Sequence, residues 1–163
     1  MSRLLRHLMT PAWSVRRTLP ARTLDAIQAA IARCEATHRA ELRFAVEGAL
    51  DPLDVLRGVT ARQRAVQVFS QLGVWDTEEN NGVLVYLLVA DRDFEIVADR
   101  GVHRLVGDAG WEPIARRMEA AFRSGDFEQG IVDGIAAIGE VLASHYPRRG
   151  GDRNELPDRP AVF

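Results

Sequence analysis

The sequence predicts an α/β fold, a three-layer α/β/α sandwich with a small mixed sheet and helices on both faces. Three observations carry this. Segments with helical spacing alternate with short apolar segments along the chain. The longest apolar run, Val83 to Ala90, is eight residues and apolar on both faces, as a covered central strand requires. The 163 residues, 47% hydrophobic and 27% charged, suit one ordinary domain, which buries roughly 68–70% of its unfolded surface without needing a metal or disulfide.

Residues 1–19 read as a basic N-terminal arm. Positions 1 to 22 carry five arginines and no acid, and Leu4, Leu5, Leu8 and Met9 are interrupted by Arg6 and His7. A solvated tail is expected there, with the charge to touch an anionic membrane surface or an acidic partner. The main domain spans 20–147. Leu24, Ile27, Ile31 and Cys34 recur at helical spacing, with Thr23 as candidate N-cap. Leu42, Phe44 and Val46 alternate with Glu41, Arg43 and Glu47, which predicts a strand with one covered face. Thr60 and Gln63 stand at capping-box spacing before a helix through Val66, Phe69 and Leu72 that stops at Gly73. Gly82 to Ala90 is the central strand, Asp91 to Asp93 a turn, and Phe94 to Ala98 a third strand. One helix is expected near Pro113 to Arg123, ended by Gly125. Another starts at Asp126, with Gln129 again at capping-box spacing, and runs through Ile131, Ile135, Ile138 and Leu142 to Pro147. Residues 148–163, with Gly150, Gly151, Pro157 and Pro160 among charges, read as a flexible tail.

A helical crossover makes the first two strands parallel, and the short turn makes the third antiparallel. One end of the sheet then gathers Glu47, Asp91, Arg92 and Asp93. The other gathers the Asp76 to Asn81 loop with Asp99, Arg100 and Gly101.

Composition excludes several functions. All 21 basic residues are arginine, which rules out a lysine nucleophile, and against 23 acids they leave a net charge of -2 and no broad basic surface for nucleic acid. Cys34 is the sole cysteine, so no intramolecular disulfide forms, and a cytoplasmic location is expected. No apolar run approaches the ~18 residues of a spanning helix, so no integral membrane segment is expected. Asp91-Arg92-Asp93 imitates a phosphatase Asp-x-Asp motif, but Glu95 stands where Thr or Val belongs and a hairpin strand follows, so a turn accounts for it better. Cys34 and His38 share a helix face, but Cys34 continues the apolar stripe and reads as a buried small hydrophobe. No nucleophile elbow, phosphate loop or zinc-spaced His pair is present.

The stretch Val74-Trp-Asp-Thr-Glu-Glu-Asn-Asn-Gly-Val-Leu-Val-Tyr, followed by Phe94-Glu-Ile-Val-Ala-Asp-Arg-Gly, resembles the signature of the TPM domain, the module of thylakoid acid phosphatase and photosystem II repair proteins. Glu41-Leu-Arg-Phe-Ala-Val-Glu, Trp111 and the segments Met118 to Gly130 and Ile131 to Pro147 extend the resemblance over residues 20–147. It implies an α/β/α sandwich of the short soluble bacterial branch. It also implies Ca²⁺ as a candidate ligand, membrane-anchored TPM or LemA-type proteins as candidate partners, and a non-enzymatic interaction or metal-binding role, with weak acid phosphatase activity as the alternative.

The residues place that chemistry at the Asn80 end. Asp76, Glu79, Asn80, Asn81 and Asp99 form an oxygen-rich set suited to a hard cation, which takes about six to eight oxygen ligands. Arg100 is the candidate anion fork, and Asp108 a possible addition from the following helix. Asn80-Asn81-Gly82 also reads as a plain turn. Trp75 and Trp111 are expected to pack beneath this end.

Overall fold

The computed structural model describes residues 2–11, 13–151 and 153–163. The strands β1 (Glu41–Glu47), β2 (Gly82–Leu88), β3 (Asp93–Ala98) and β4 (Ala161–Val162) form one sheet in the order β3-β2-β1-β4. β1 runs parallel to β2, with Glu41 opposite Gly82 and Glu47 opposite Leu88, and β3 returns antiparallel, with Val83 opposite Ala98. The predicted crossover and hairpin are therefore both present. Arg92 takes a left-handed φ of 55° at the hairpin tip.

Side-chain alternation splits the core into two layers. Leu42, Phe44, Val46, Val83, Val85 and Leu87 face α3 (Ala21–Glu35), α6 (Arg100–Ser124) and α7 (Phe127–His145). Leu84, Tyr86, Leu88 and Ala45 face α5 (Ala61–Gln71) and the short α4 (Pro52–Leu56), a helix not expected from the sequence although Asp51 caps it and Pro52 opens it. This is the predicted α/β/α sandwich. The capping box of α5 forms as read, with Thr60 Oγ1 accepting from Gln63 N and Gln63 Oε1 accepting from Thr60 N.

Several expectations change in the structure. The strand expected to cover one face is buried on both, because Glu41, Arg43 and Glu47 all find partners. Glu41 accepts from Leu156 N at 2.9 Å, Arg43 donates to the carbonyls of Pro157 and Arg159, and Glu47 accepts from Arg64 and from the Tyr86 hydroxyl. Residues 155–163 thus lie along the β1 edge, and β4 pairs with Ala45 and Val46 where a flexible tail was expected. The basic arm is also ordered into α1 (Arg3–Leu8) and α2 (Trp13–Thr18), with His7, Val15 and Leu19 buried. Arg3, Arg6 and His7 converge on Asp91.

Helix boundaries shift for local reasons. α3 starts after Pro20, and Thr23 instead donates from its hydroxyl to Glu128 of α7 at 2.6 Å. Asp126 makes no side-chain cap, since its carboxylate takes the Ser124 hydroxyl and Gln129 donates to Asp133. The helix placed near Pro113 begins at Arg100 and breaks at Gly107, where φ is 67°. Trp111 packs in the core, but Trp75 is 54% exposed, and the loop is anchored by Val74 in its place.

Candidate functional site

The N-terminal ends of β1 and β2 meet the C-terminal end of β3 at one side of the sheet. The antiparallel pairing of β2 and β3 continues past the strands, as Asp99 N donates to Gly82 O at 2.8 Å and Gly101 N to Asn80 O at 3.2 Å. Two glycines allow the loop to close there. A Cβ on Gly82 would lie 2.0 Å from Val74 O, and one on Gly101 would lie 2.4 Å from Asn80 O and 3.1 Å from the Tyr146 hydroxyl.

The predicted residues divide within this frame. Asn81 is buried; its backbone N donates to Thr77 Oγ1 at 3.0 Å and its Nδ2 to Arg39 O at 2.6 Å. That orientation leaves its Oδ1 buried without a donor. Asp99 is buried as well. Its Oδ1 caps α6 by accepting from Arg100 N at 2.7 Å, and among the described residues its Oδ2 meets no donor. Two buried acceptor oxygens, one carboxylate and one amide, are therefore unpartnered at the same end of the sheet, a condition that costs free energy unless a ligand or water answers it.

The other members play different parts. Asn80 is exposed with a left-handed φ of 52°, so the turn reading holds for its backbone. Glu79 pairs with Arg39, and Asp76 is exposed on the loop. The Arg100 side chain is exposed, and among the described residues it has no partner. Asp108 does not join them. Its carboxylate lies 3.8 Å from Arg62 and 3.9 Å from His103, beside the outer strand.

Sequence reading missed Arg39 and Tyr146. The Arg39 guanidinium sits 5.1 Å from the Tyr146 ring centroid, and Arg39 N donates to Tyr146 O at 3.0 Å. Burial raises the Tyr146 hydroxyl pKa, with Asp99's charge adding to the rise and Arg39 opposing it. Both residues follow segments read only as helix, and no local pattern marks them.

Among the described residues, this arrangement offers acceptors and no side chain placed as an activated nucleophile. Thr77 Oγ1 already receives Asn81 N, and His38 is engaged by Ala40 N and the Cys34 sulfur. Burial holds the His38 imidazole down at about 4 and pushes the Cys34 thiol up to about 12, with Glu35 adding to the latter. Both are structural groups, as read for Cys34. Among the described residues, no group of three or more His, Cys, Asp or Glu is arranged to hold a metal ion. An all-oxygen set with two open acceptors suits a hard cation that keeps much of its hydration.

Residues 16–141 match the TPM domain. The chain belongs to the TPM domain family. This TPM domain is similar to the BA42 protein of the psychrophilic bacterium Bizionia argentinensis, solved by NMR, at 32% identity and a TM-score of 0.79 over 89% of this chain and 95% of that one. The N-terminal domain of a P. gingivalis protein, at 18% identity and a TM-score of 0.62 over 86% and 94%, shares the fold. No curated protein matches. Among the described residues no helix is long and apolar enough to cross a membrane. The matched segment of the TPM domain holds all seven predicted site residues and leaves α1 outside.

Proposed function

We propose that this TPM domain is a non-enzymatic binding module that takes a hard divalent cation, Ca²⁺ foremost, at Asn81 and Asp99, and presents the Asn80 loop to the water-facing part of a membrane-anchored partner. The observation that carries the reading is the pair of buried oxygens, Asn81 Oδ1 and Asp99 Oδ2, without donors. Asp76 and the carbonyls of the loop are the further oxygens within the same segment, and water would complete the shell. Two carboxylates, Asp99 and the exposed Asp76, in an otherwise amide and carbonyl set give weak affinity, about 10⁻⁴–10⁻³ M.

A cation there would neutralise Asp99 and rigidify the loop between α5 and β2. Arg100, exposed beside it, would favour an anionic partner group. The metal-assisted phosphomonoesterase is the alternative. It needs a base or nucleophile, and the engagement of Thr77 and His38 weighs against it.

Calorimetric titration with Ca²⁺ and Mg²⁺ tests the reading. Asp99→Asn should abolish the heat of binding, while Asp93→Asn at the opposite end leaves it unchanged. The reverse pattern would move the site to the hairpin, and a wild type that takes up no cation would defeat the cation reading. Cation-dependent hydrolysis of a phosphomonoester, lost in Asp99→Asn, would favour the enzyme.

A further inference from the structure

The opposite end of the sheet carries a second surface, on residues that the cation reading does not use. A groove of about 880 Å³ lies between the arm, the β2–β3 turn and the α6–α7 junction, with Met9, Trp13, Arg17, Arg92 and Arg123 on its walls. It sits beyond the C-terminal ends of the parallel strands β1 and β2, the end at which open α/β sheets commonly take their ligands.

The arm is pinned, so what it exposes is fixed by structure. Asp91 holds Arg3 and Arg6, His7 Nδ1 accepts from Leu50 N at 2.9 Å, and Val15 and Leu19 are buried. From that anchored backbone Leu8, Met9 and Trp13 project into solvent, 60%, 65% and 60% exposed. A cluster of large apolar side chains in one short segment marks an interaction surface.

Charge selects the occupant. Residues 1 to 22 contain no acid, and the one carboxylate on the groove wall, Asp91, is already occupied by Arg3 and Arg6. Arg16, Arg17 and Arg92 are exposed and have no side-chain partner among the described residues. Protruding apolar tips ringed by free guanidinium groups match an interface of acyl chains below and anionic headgroups above. An indole such as Trp13 settles readily at that depth.

We infer that this end of the molecule docks on an anionic lipid bilayer, with Leu8, Met9 and Trp13 entering the headgroup region and Arg16, Arg17 and Arg92 meeting lipid phosphates. The surface is independent of the cation site, so the test is run with chelator present.

Flotation of the full chain with vesicles of phosphatidylcholine, alone or with phosphatidylglycerol, decides the matter. Recovery with the phosphatidylglycerol vesicles should exceed that with phosphatidylcholine alone by about tenfold or more and fall as salt rises. Arg16→Gln and Arg17→Gln should each lower partitioning about fivefold. Trp13→Ala should lower it too, while Leu105→Ala, an exposed apolar residue on α6, should not. The substituted side chains are exposed, so circular dichroism melting should match wild type. Equal recovery with both vesicle types, no recovery with either, or indifference to Trp13→Ala and Arg17→Gln would overturn the inference. Displacement from vesicles by polyglutamate, with Trp13→Ala still binding as wild type, would overturn it in favour of an acidic peptide.

Discussion

Asp91→Asn removes the charge that holds the N-terminal arm in place. The wild-type carboxylate accepts from Arg3 Nε at 2.8 Å and from Arg6 at 3.1 Å, and lies 3.2 Å from His7 Nε2. Its side chain is 10% exposed against 29% for Arg3 and 42% for Arg6, so the cluster falls between a surface pair, worth about 0.2–1 kcal/mol, and a buried one, whose rupture costs about 3–5. About 2 kcal/mol is the expected loss, since asparagine keeps an acceptor but not the charge. Burial raises the Asp91 pKa, but the Arg3 hydrogen bond and charge, with His7, more than offset it and hold the carboxyl below its ordinary range. Because the folded value is the lower one, this contribution is complete above the ordinary carboxylate range and is lost as pH falls through the depressed value. Lifting the arm would also expose Val15 and Leu19, each worth about 1.5–3 kcal/mol when buried. That burial keeps α2 seated, so the loss of Asp91's charge should loosen α1 first and the rest of the arm less. Limited trypsinolysis should show faster cleavage after Arg3 or Arg6, and less so after Arg16 or Arg17, with the domain beyond α3 protected, and urea unfolding should show the stability loss. Unchanged cleavage together with a loss below about 0.5 kcal/mol would refute the argument that Asp91 anchors the arm.

Two further outcomes follow from buried titratable groups. Cys34, shielded by α7 and with its thiol raised to about 12, should resist a bulky maleimide at pH 8 in the native state and react fully in urea; native labelling would show that the helix pair opens. Glu35 is raised to about 9, chiefly by burial, while Leu42 N opposes the rise and Glu41 and Asp158 add to it. The folded state thus keeps a proton that the unfolded chain loses above about 4.5, so Glu35 makes stability fall between about pH 4.5 and 9, by at most about 1.4 kcal/mol per pH unit. Glu35→Gln should flatten that descent in urea titrations across pH, and an unchanged slope would show that Glu35 is ionised in the fold.

Local rules recovered the elements whose signals are local. The α5 capping box, the apolar run of β2 and the Gly125 stop at a φ of 90° each depend on neighbours a few residues away, and each stands as read. The misread strand face and the misread arm share the opposite property. Glu41, Arg43 and Glu47 looked like a solvent face because their partners, Leu156, Pro157, Arg159 and Arg64, come from distant parts of the chain. The arm looked like a solvated tail because nothing near Arg3 or Arg6 announces Asp91, 88 and 85 residues away. Polar positions in a strand pattern are therefore ambiguous wherever a chain end can fold back to satisfy them.

The candidate site follows the same logic. Topology was enough to bring the Asn80 loop and Asp99 to one end, because a parallel crossover followed by a tight hairpin has only one such arrangement. It was not enough to rank the oxygens within the set. Formal charge makes Glu79 the equal of Asp99, yet Arg39 claims Glu79, and the open acceptors belong to Asn81 and Asp99. Asn81 is the instructive case. Its Nδ2 is spent on Arg39 O, so its remaining oxygen is fixed in place and cannot turn away to find a donor. A buried amide held at one end and open at the other has less freedom to relax than an exposed carboxylate such as Asp76. Ligand affinity at this end should accordingly respond more to Asn81→Ala than to Asp76→Asn, although the second substitution removes a full charge and the first removes none.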